Sequence, residues 1–266
     1  VAEASLYLLA YLATGALAGL LSGLLGLGGG LVIVPVLTYV LALQGFPAET
    51  VVHTAIGTSL AAITLTSLAS TYAHHRQGRV NWTLVSYLAP TLALGGLAGA
   101  AIAHLMPGSG LRLFVGLFEL LVALRIAIRP RIAAARPVPT AAKARLAGAG
   151  IGSLSALVGI GGGTLTVPYL LRHRVRIHTA IAVSAACGFP IALAGATGFV
   201  VFAWGDPNTP IAGLGHVLLP AFIPITLASM ALAPLGAKLA HTLSGSILKR
   251  WFSGFMAVAG VLMLIG

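Results

Sequence analysis

The chain has 266 residues, 58% of them hydrophobic and only 7% charged, with a mean hydropathy of +1.03. A water-soluble domain carries about 25% charged residues to wet its surface. This composition therefore excludes a soluble enzyme, a nucleic-acid binder and a disordered chain, and leaves an integral membrane protein. The charge is lopsided, with 15 Lys and Arg against Glu3, Glu49, Glu119 and Asp206 for a net +11; in a membrane protein such an excess marks cytoplasmic loops.

A bilayer core of about 30 Å is crossed by roughly 20 apolar residues. The first such run is 5–25; Glu3 precedes it and no Lys or Arg does, so a mature span is expected here rather than a cleaved signal peptide. A glycine cluster follows, then a piece at 31–43 too short to span, then full runs at 54–73, 83–105 and 111–128. The basic, proline-containing stretch Arg129–Arg145 comes next, and after it a short apolar run at 146–160. A second glycine cluster precedes a short piece at 164–171; further full runs lie at 179–203 and 246–265, and the run at 217–237 qualifies although it holds Pro220, Pro224 and Pro234. Trp82, Trp204 and Trp251 fall near span ends, as interface anchors do. The single cysteine, Cys187, excludes an intrachain disulfide and a cysteine-rich metal site; no metal and no cofactor are expected.

The chain repeats itself. Residues 18–37 align with 151–170, with 11 of 20 identical, centred on Gly26-Leu27-Gly28-Gly29-Gly30 and Gly159-Ile160-Gly161-Gly162-Gly163. Each cluster is followed five residues after its last glycine by a proline, Pro35 or Pro168. His53-Thr54-Ala55-Ile56-Gly57-Thr58-Ser59 likewise matches His178-Thr179-Ala180-Ile181-Ala182-Val183-Ser184, and Ala103-His104 matches Ala240-His241. The duplication divides the chain into a first transmembrane repeat at 1–128, a basic cytoplasmic linker at 129–145 and a second repeat at 146–266.

Charge orients the repeats. The basic loops, His74–Arg79, Arg125–Arg145, Arg172–Arg176 and Lys238–Arg250, belong in the cytoplasm. The loops at 44–52, 106–110 and 204–216 contain no Lys or Arg and belong outside. For Arg145 and Arg172 to share one side, the segment between them must enter and return, and residues 1–44 must do the same from the other side. The expected fold is an all-α polytopic membrane protein of two inverted repeats, each a glycine-broken hairpin plus three transmembrane helices, with both termini outside.

Three consecutive glycines in a lipid-facing helix would leave backbone donors unmet, but they suit a broken helix that is buried or lines a cavity. Behind each break a short helix starting near Leu31 or Thr164 offers free N–H groups and the positive end of its dipole, a ready anion site. Isolated glycines such as Gly15, Gly19, Gly23, Gly95 and Gly99 read instead as close helix packing. Pro35 and Pro168 are candidate hinges. Thr54 and Thr179 read as helix caps, whereas Ser59 and Ser184, five residues on, and Thr58 are placed to face the breaks. His53 and His178, paired across the repeat, are candidate anion donors or proton carriers. Glu119 is the only carboxylate deep in a span and a second candidate for proton coupling.

These duplicated glycine–proline blocks, each followed by His-Thr-Ala-Ile-x-x-Ser, resemble the sulfite exporter TauE/SafE family, also called the toluene-sulfonate uptake permeases, over essentially the whole chain. The resemblance implies a transporter of sulfite, sulfoacetate or other organosulfonates. It implies a site at Gly28–Gly30 (Gly28, Gly29, Gly30), Gly161–Gly163 (Gly161, Gly162, Gly163), His53, Thr58, Ser59, His178 and Ser184, with Thr164 opening the second short helix. Val183 and Ala182 stand where the first half has Thr58 and Gly57, so the site departs from strict two-fold symmetry.

The expectation is therefore a non-enzymatic secondary transporter in a bacterial inner membrane, binding a small sulfur-containing anion between the two breaks and coupling to H⁺ or Na⁺. Its partners are the anion and the lipid bilayer, with no nucleic acid; its oligomeric state is open. An anion channel of the same architecture, or a carrier of a non-sulfur organic anion, stands as the alternative. An intramembrane enzyme finds no motif: there is no His-Glu-x-x-His and no Gly-x-Ser-x-Gly.

Overall fold

A computed structural model describes residues 2–25, 29–128, 141–239 and 245–265. Helices α1 (Ala2–Leu25), α2 (Gly30–Leu43), α3 (Ala48–Arg76), α4 (Trp82–Leu105) and α5 (Gly108–Ala127) make up the first half. Helices α6 (Ala141–Val158), α7 (Gly163–Arg172), α8 (Ile177–Val201), α9 (Leu219–Leu239) and α10 (Gly245–Ile265) make up the second. Strands β1 (Gly213–Leu214) and β2 (Val217–Leu218) form a small antiparallel hairpin between α8 and α9. Among the described residues, α1, α3, α4, α8 and α9 each contain a stretch long and apolar enough to cross a membrane. The chain is a multi-pass, nearly all-helical membrane protein. Most of the linker, together with Gly26, Leu27, Gly28 and His241, lies outside the described residues.

Helix limits follow local chemistry. The Asn81 side chain caps α4, accepting from the Leu84 amide at 3.2 Å. Pro47 and Pro107 immediately precede α3 and α5, and Arg76 closes the last turn of α3, where a cation complements the negative end of the helix dipole. The expected caps at Thr54 and Thr179 are corrected: α3 begins six residues before Thr54, behind Pro47, and α8 begins at Ile177 behind Arg176. Both threonines lie inside helices.

Helix α3 is the axis of the molecule. At 1.5 Å per residue its length is about 43 Å, and Thr50–Leu60 is buried without interruption. Helix α1 packs along α9, and α6 along α4, so each half lays its first helix on the other half's fourth. Small residues permit these pairings. Gly15 and Gly19 meet the Ile225 and Ser229 backbone, and Gly95 and Gly99 meet that of Ala149 and Ser153. Residue numbers rise together in both contacts, so α1 runs parallel to α9 and α4 to α6. The equivalents α3 and α8 run antiparallel, since Gly57 meets Phe199, Leu60 meets Gly195 and Ser67 meets Gly188. The pair α5 and α10 is antiparallel too, with Gly116 against Leu264 and Gly260 against Leu120.

Candidate functional site

The two chain breaks meet beside the middle of α3. Gly29, with φ 71°, turns the chain into α2, a left-handed backbone that only glycine adopts without strain. In the second half the left-handed residue is Gly159, φ 73°, while Gly162, the counterpart of Gly29, is right-handed. A Cβ on Gly30 would come within 2.3 Å of the Gly159 carbonyl oxygen and 2.9 Å of the Ile63 side chain. The Ser59 hydroxyl donates to that same carbonyl at 2.8 Å. Gly30, Gly159 and Ser59 therefore form one packed contact across the middle of the protein.

Pro35 is buried inside α2, and Pro168 lies exposed inside α7. A proline has no N–H for the carbonyl four residues earlier, so the Leu31 and Thr164 carbonyls lose their helical donors near the breaks.

On the side of this contact nearer the basic loops, a cavity of about 20 Å³ is lined by Gly161, Gly162, Gly163 and Ser184. Across from them stand Ser22 of α1 and Thr66, Ser67 and Ser70 of α3. The Ser184 hydroxyl is buried without a hydrogen-bond partner, as are those of Thr164 and Thr166 in α7. The volume is about that of one water. Four of the expected site residues thus share a cavity with four hydroxyls from the other half. Ser22, Thr66, Ser67 and Ser70 escaped the sequence reading, although Thr66, Ser67 and Ser70 continue the α3 face of Ser59 at helical spacing.

The remaining expected residues lie elsewhere. Thr58 points its hydroxyl at the β-hairpin and accepts from the Leu218 amide at 2.9 Å. His178 is exposed at the start of α8, at the basic end. Glu119 is fully buried in α5 and neither carboxyl oxygen has a partner. Cys187 is buried among the apolar residues of α8 and its neighbours.

At the opposite end, the three loops without Lys or Arg converge on a vestibule of about 770 Å³. His53 lies in its floor, with Nδ1 3.1 Å from the Glu49 carbonyl and Nε2 2.9 Å from the Ala103 carbonyl. A neutral imidazole has one N–H and donates to only one of them. The His53 ring stacks on His216 at 5.2 Å between centroids, and Phe199 meets His216 edge-on at 6.3 Å. His216 belongs to the turn between β1 and β2, outside the spans. Burial pushes its imidazole down to about 4; His53 and His104 push the same way and Asp206 opposes them. His104, Arg112, Glu49, Asp206 and Asn208 are also in the lining. His216 and Arg112 had no sequence signal, because the vestibule they line is assembled from separate chain segments, near residues 50, 106 and 206.

The arrangement holds a wide polar vestibule at one end, a one-water cavity of hydroxyls and helix-start backbone towards the other, and a tight glycine–serine contact between them. The comparisons with known proteins point to a membrane transporter. The chain is 36% identical over 260 residues to a probable membrane transporter protein of Haemophilus influenzae, covering 97% of this chain and 98% of that one. It is 26% identical to a probable membrane transporter protein of Methanocaldococcus jannaschii, over 94% of this chain and 93% of the relative. The probable membrane transporter protein YdhB of Bacillus subtilis is also 26% identical, over 93% of this chain and 96% of its own length. No solved structure matches the chain. The family described as sulfite exporter TauE/SafE matches residues 11–263, and the chain is a membrane transporter protein of that family.

Proposed function

We propose that the protein is a secondary transporter of small sulfur-containing anions, sulfite or organosulfonates, which bind at the junction of the two broken hairpins and cross by alternating access. The observation that carries this reading is the cavity at the start of α7. There, helix-start N–H groups and the unpartnered Ser184 hydroxyl face hydroxyls of α1 and α3. Such groups bind an oxyanion by donating to it and need no basic side chain. In this conformation the cavity is too small for the anion, so α3 and α8 must separate for it to load. The family membership supports the substrate class, and the size difference between vestibule and cavity supports a state open towards the base-poor end.

The halves are read as inverted repeats, each a hairpin plus three spans, with the base-poor end outside a bacterial inner membrane. Their antiparallel equivalents, α3 with α8 and α5 with α10, support this: a two-fold axis in the membrane plane reverses each helix, whereas one along the normal does not. Coupling is assigned to H⁺ or Na⁺. Glu119 and His53 are the proton candidates, the first because its carboxyl is buried in a span without a partner.

A ligand that binds only the folded protein raises its melting temperature by mass action. Detergent-purified protein is expected to gain stability with sulfite, isethionate or sulfoacetate, and Ser184→Ala to lose most of that gain. An equal gain in wild type and Ser184→Ala would move the site away from the second break. A pore that passes labelled anion with charge flow and without exchange would replace the carrier by a channel.

A further inference from the structure

The vestibule is far larger than the cavity at the break, and Arg112, His104 and His216 are in its lining. Arg112 reaches it from the second turn of α5, and its Nε is buried with no hydrogen-bond partner. A guanidinium nitrogen only donates, so an acceptor alone satisfies it. His216 lines the same space at 5% exposure, and its Nδ1 also has no partner. That ring is held in place by its stack on His53 and by its own amide, which donates to the Phe199 carbonyl at 3.1 Å. Beside Arg112, α5 starts with no side-chain cap and no acid in its first turn, and Gly108 and Ser109 line the vestibule. Its first N–H groups carry the positive end of the helix dipole. The residues that carry these two buried, unpartnered nitrogens and an uncapped helix start thus line one space.

Glu49 and Asp206 line the vestibule too. Asp206 Oδ1 already accepts from the Asn208 backbone and side-chain amides at 2.9 and 3.1 Å. Glu49 is exposed in the first turn of α3. Neither carboxylate satisfies the orphan nitrogens. Their two charges act on the ligand instead: Arg112 matches a single negative charge, and a second one meets repulsion from both acids.

We propose that the vestibule is a second anion site, a receptor for a singly charged sulfonate or hydrogen sulfite head group, with Arg112 as its principal donor and His216 and the start of α5 as its supports. The ligand class rests on the transport reading above, whereas the residues do not. The site lies on the vestibule side of the Gly30–Gly159–Ser59 contact, so it holds the anion while the break is closed. His216, neutral at pH 7, offers its N–H without adding charge.

The test is exchange of labelled methanesulfonate in proteoliposomes, with unlabelled sulfate as the doubly charged competitor, for wild type, Arg112→Gln, Arg112→Lys and His216→Gln, each checked for melting temperature. Loss of a charge-assisted donor is expected to raise the half-saturation concentration about 10-fold or more in Arg112→Gln, less in Arg112→Lys, and about 3-fold in His216→Gln. Sulfate is expected to compete about 10-fold more weakly than unlabelled methanesulfonate, with the gap narrowing in Glu49→Gln. Arg112→Gln and His216→Gln both within 2-fold of a functioning wild type would overturn the receptor and leave the transport reading standing. A wild type that exchanges neither methanesulfonate nor sulfite would overturn the transport reading, and the receptor with it. Should Arg112→Gln melt far below wild type, Arg112→Lys and His216→Gln carry the comparison.

Discussion

Thr58 and Ser59 are consecutive on α3 and both fully buried, yet their hydroxyls hold different parts of the molecule. Thr58 accepts from the Leu218 amide and clips the β-hairpin over the vestibule end; Ser59 donates to the Gly159 carbonyl and ties α3 to the second break. Val183, where the repeat has Thr58's counterpart, carries no such acceptor. Thr58→Val would strand a buried amide, a loss of about 1–3 kcal/mol. We expect it to lower the melting temperature, with Thr58→Ser restoring most of it and a thermal melt deciding. Gly30 is a harder constraint, because an added Cβ meets the Gly159 carbonyl at 2.3 Å. Gly30→Ala is expected to abolish exchange while the protein still reaches the membrane; exchange at the wild-type rate would show that the breaks separate in the resting state. His216 makes stability depend on pH. Its imidazole falls from the ordinary 6.5 to about 4, so between those values the unfolded chain binds more protons than the folded one. Stability therefore rises with pH across that window, and the contribution is intact above 6.5 and lost as pH falls towards 4. Melting curves from pH 7 to pH 4 should fall more steeply for wild type than for His216→Gln; parallel curves would contradict the buried, neutral ring.

Among the elements, α1 on α9 and α6 on α4 are joined through glycines seated on backbone carbonyls. A Cβ on Gly99 would lie 2.3 Å from the Ser153 carbonyl oxygen, which a rigid helix pair cannot yield without moving apart. Overpacking of this kind costs about 1–3 kcal/mol. Gly99→Val is expected to lower the melting temperature; an unchanged melt would mean that α4 and α6 slide freely. Much of this level was legible in the sequence. The duplicated glycine clusters marked both breaks, the short apolar pieces became α2 and α7, and Gly15, Gly19, Gly95 and Gly99 pack as their spacing suggested. Periodicity and repeats are local signals, so they survive without a structure. The hairpin at 213–218 left no such trace, and neither did the partners of its residues. Thr58 meets Leu218 across 160 residues, and His53 meets His216 only because α3 and α8 cross at Gly57 and Phe199. The same distance hid the vestibule. Arg112 lies at the start of a span in the sequence, and nothing local links it to Asp206, Asn208 and His216, with which it lines one space. His53 and His178 are equivalent in sequence, yet one is buried beneath that connection and the other is exposed; the insertion between α8 and α9, absent between α3 and α4, separates their fates.

At the scale of the whole molecule, the halves embrace each other through exchanged helices while their equivalents α3 and α8 lie antiparallel at the centre. In the proposed alternating access this interface parts in two ways, one opening towards the vestibule and one towards the basic loops. The structure has the wide space at one end and a one-water cavity towards the other, as one member of such a pair of states would. Movement of α3 against α8 about the Gly30–Gly159–Ser59 contact would enlarge the Ser184 cavity and narrow the vestibule, carrying an anion from one to the other. Counterflow measures this property directly. Proteoliposomes loaded with unlabelled isethionate or sulfite and diluted into a trace of the labelled anion should accumulate label transiently above its external concentration, because each outward step of cold anion returns the site for an inward step of hot. Label that enters only to equilibrium, at a rate indifferent to the internal load, would contradict alternating access at the paired breaks.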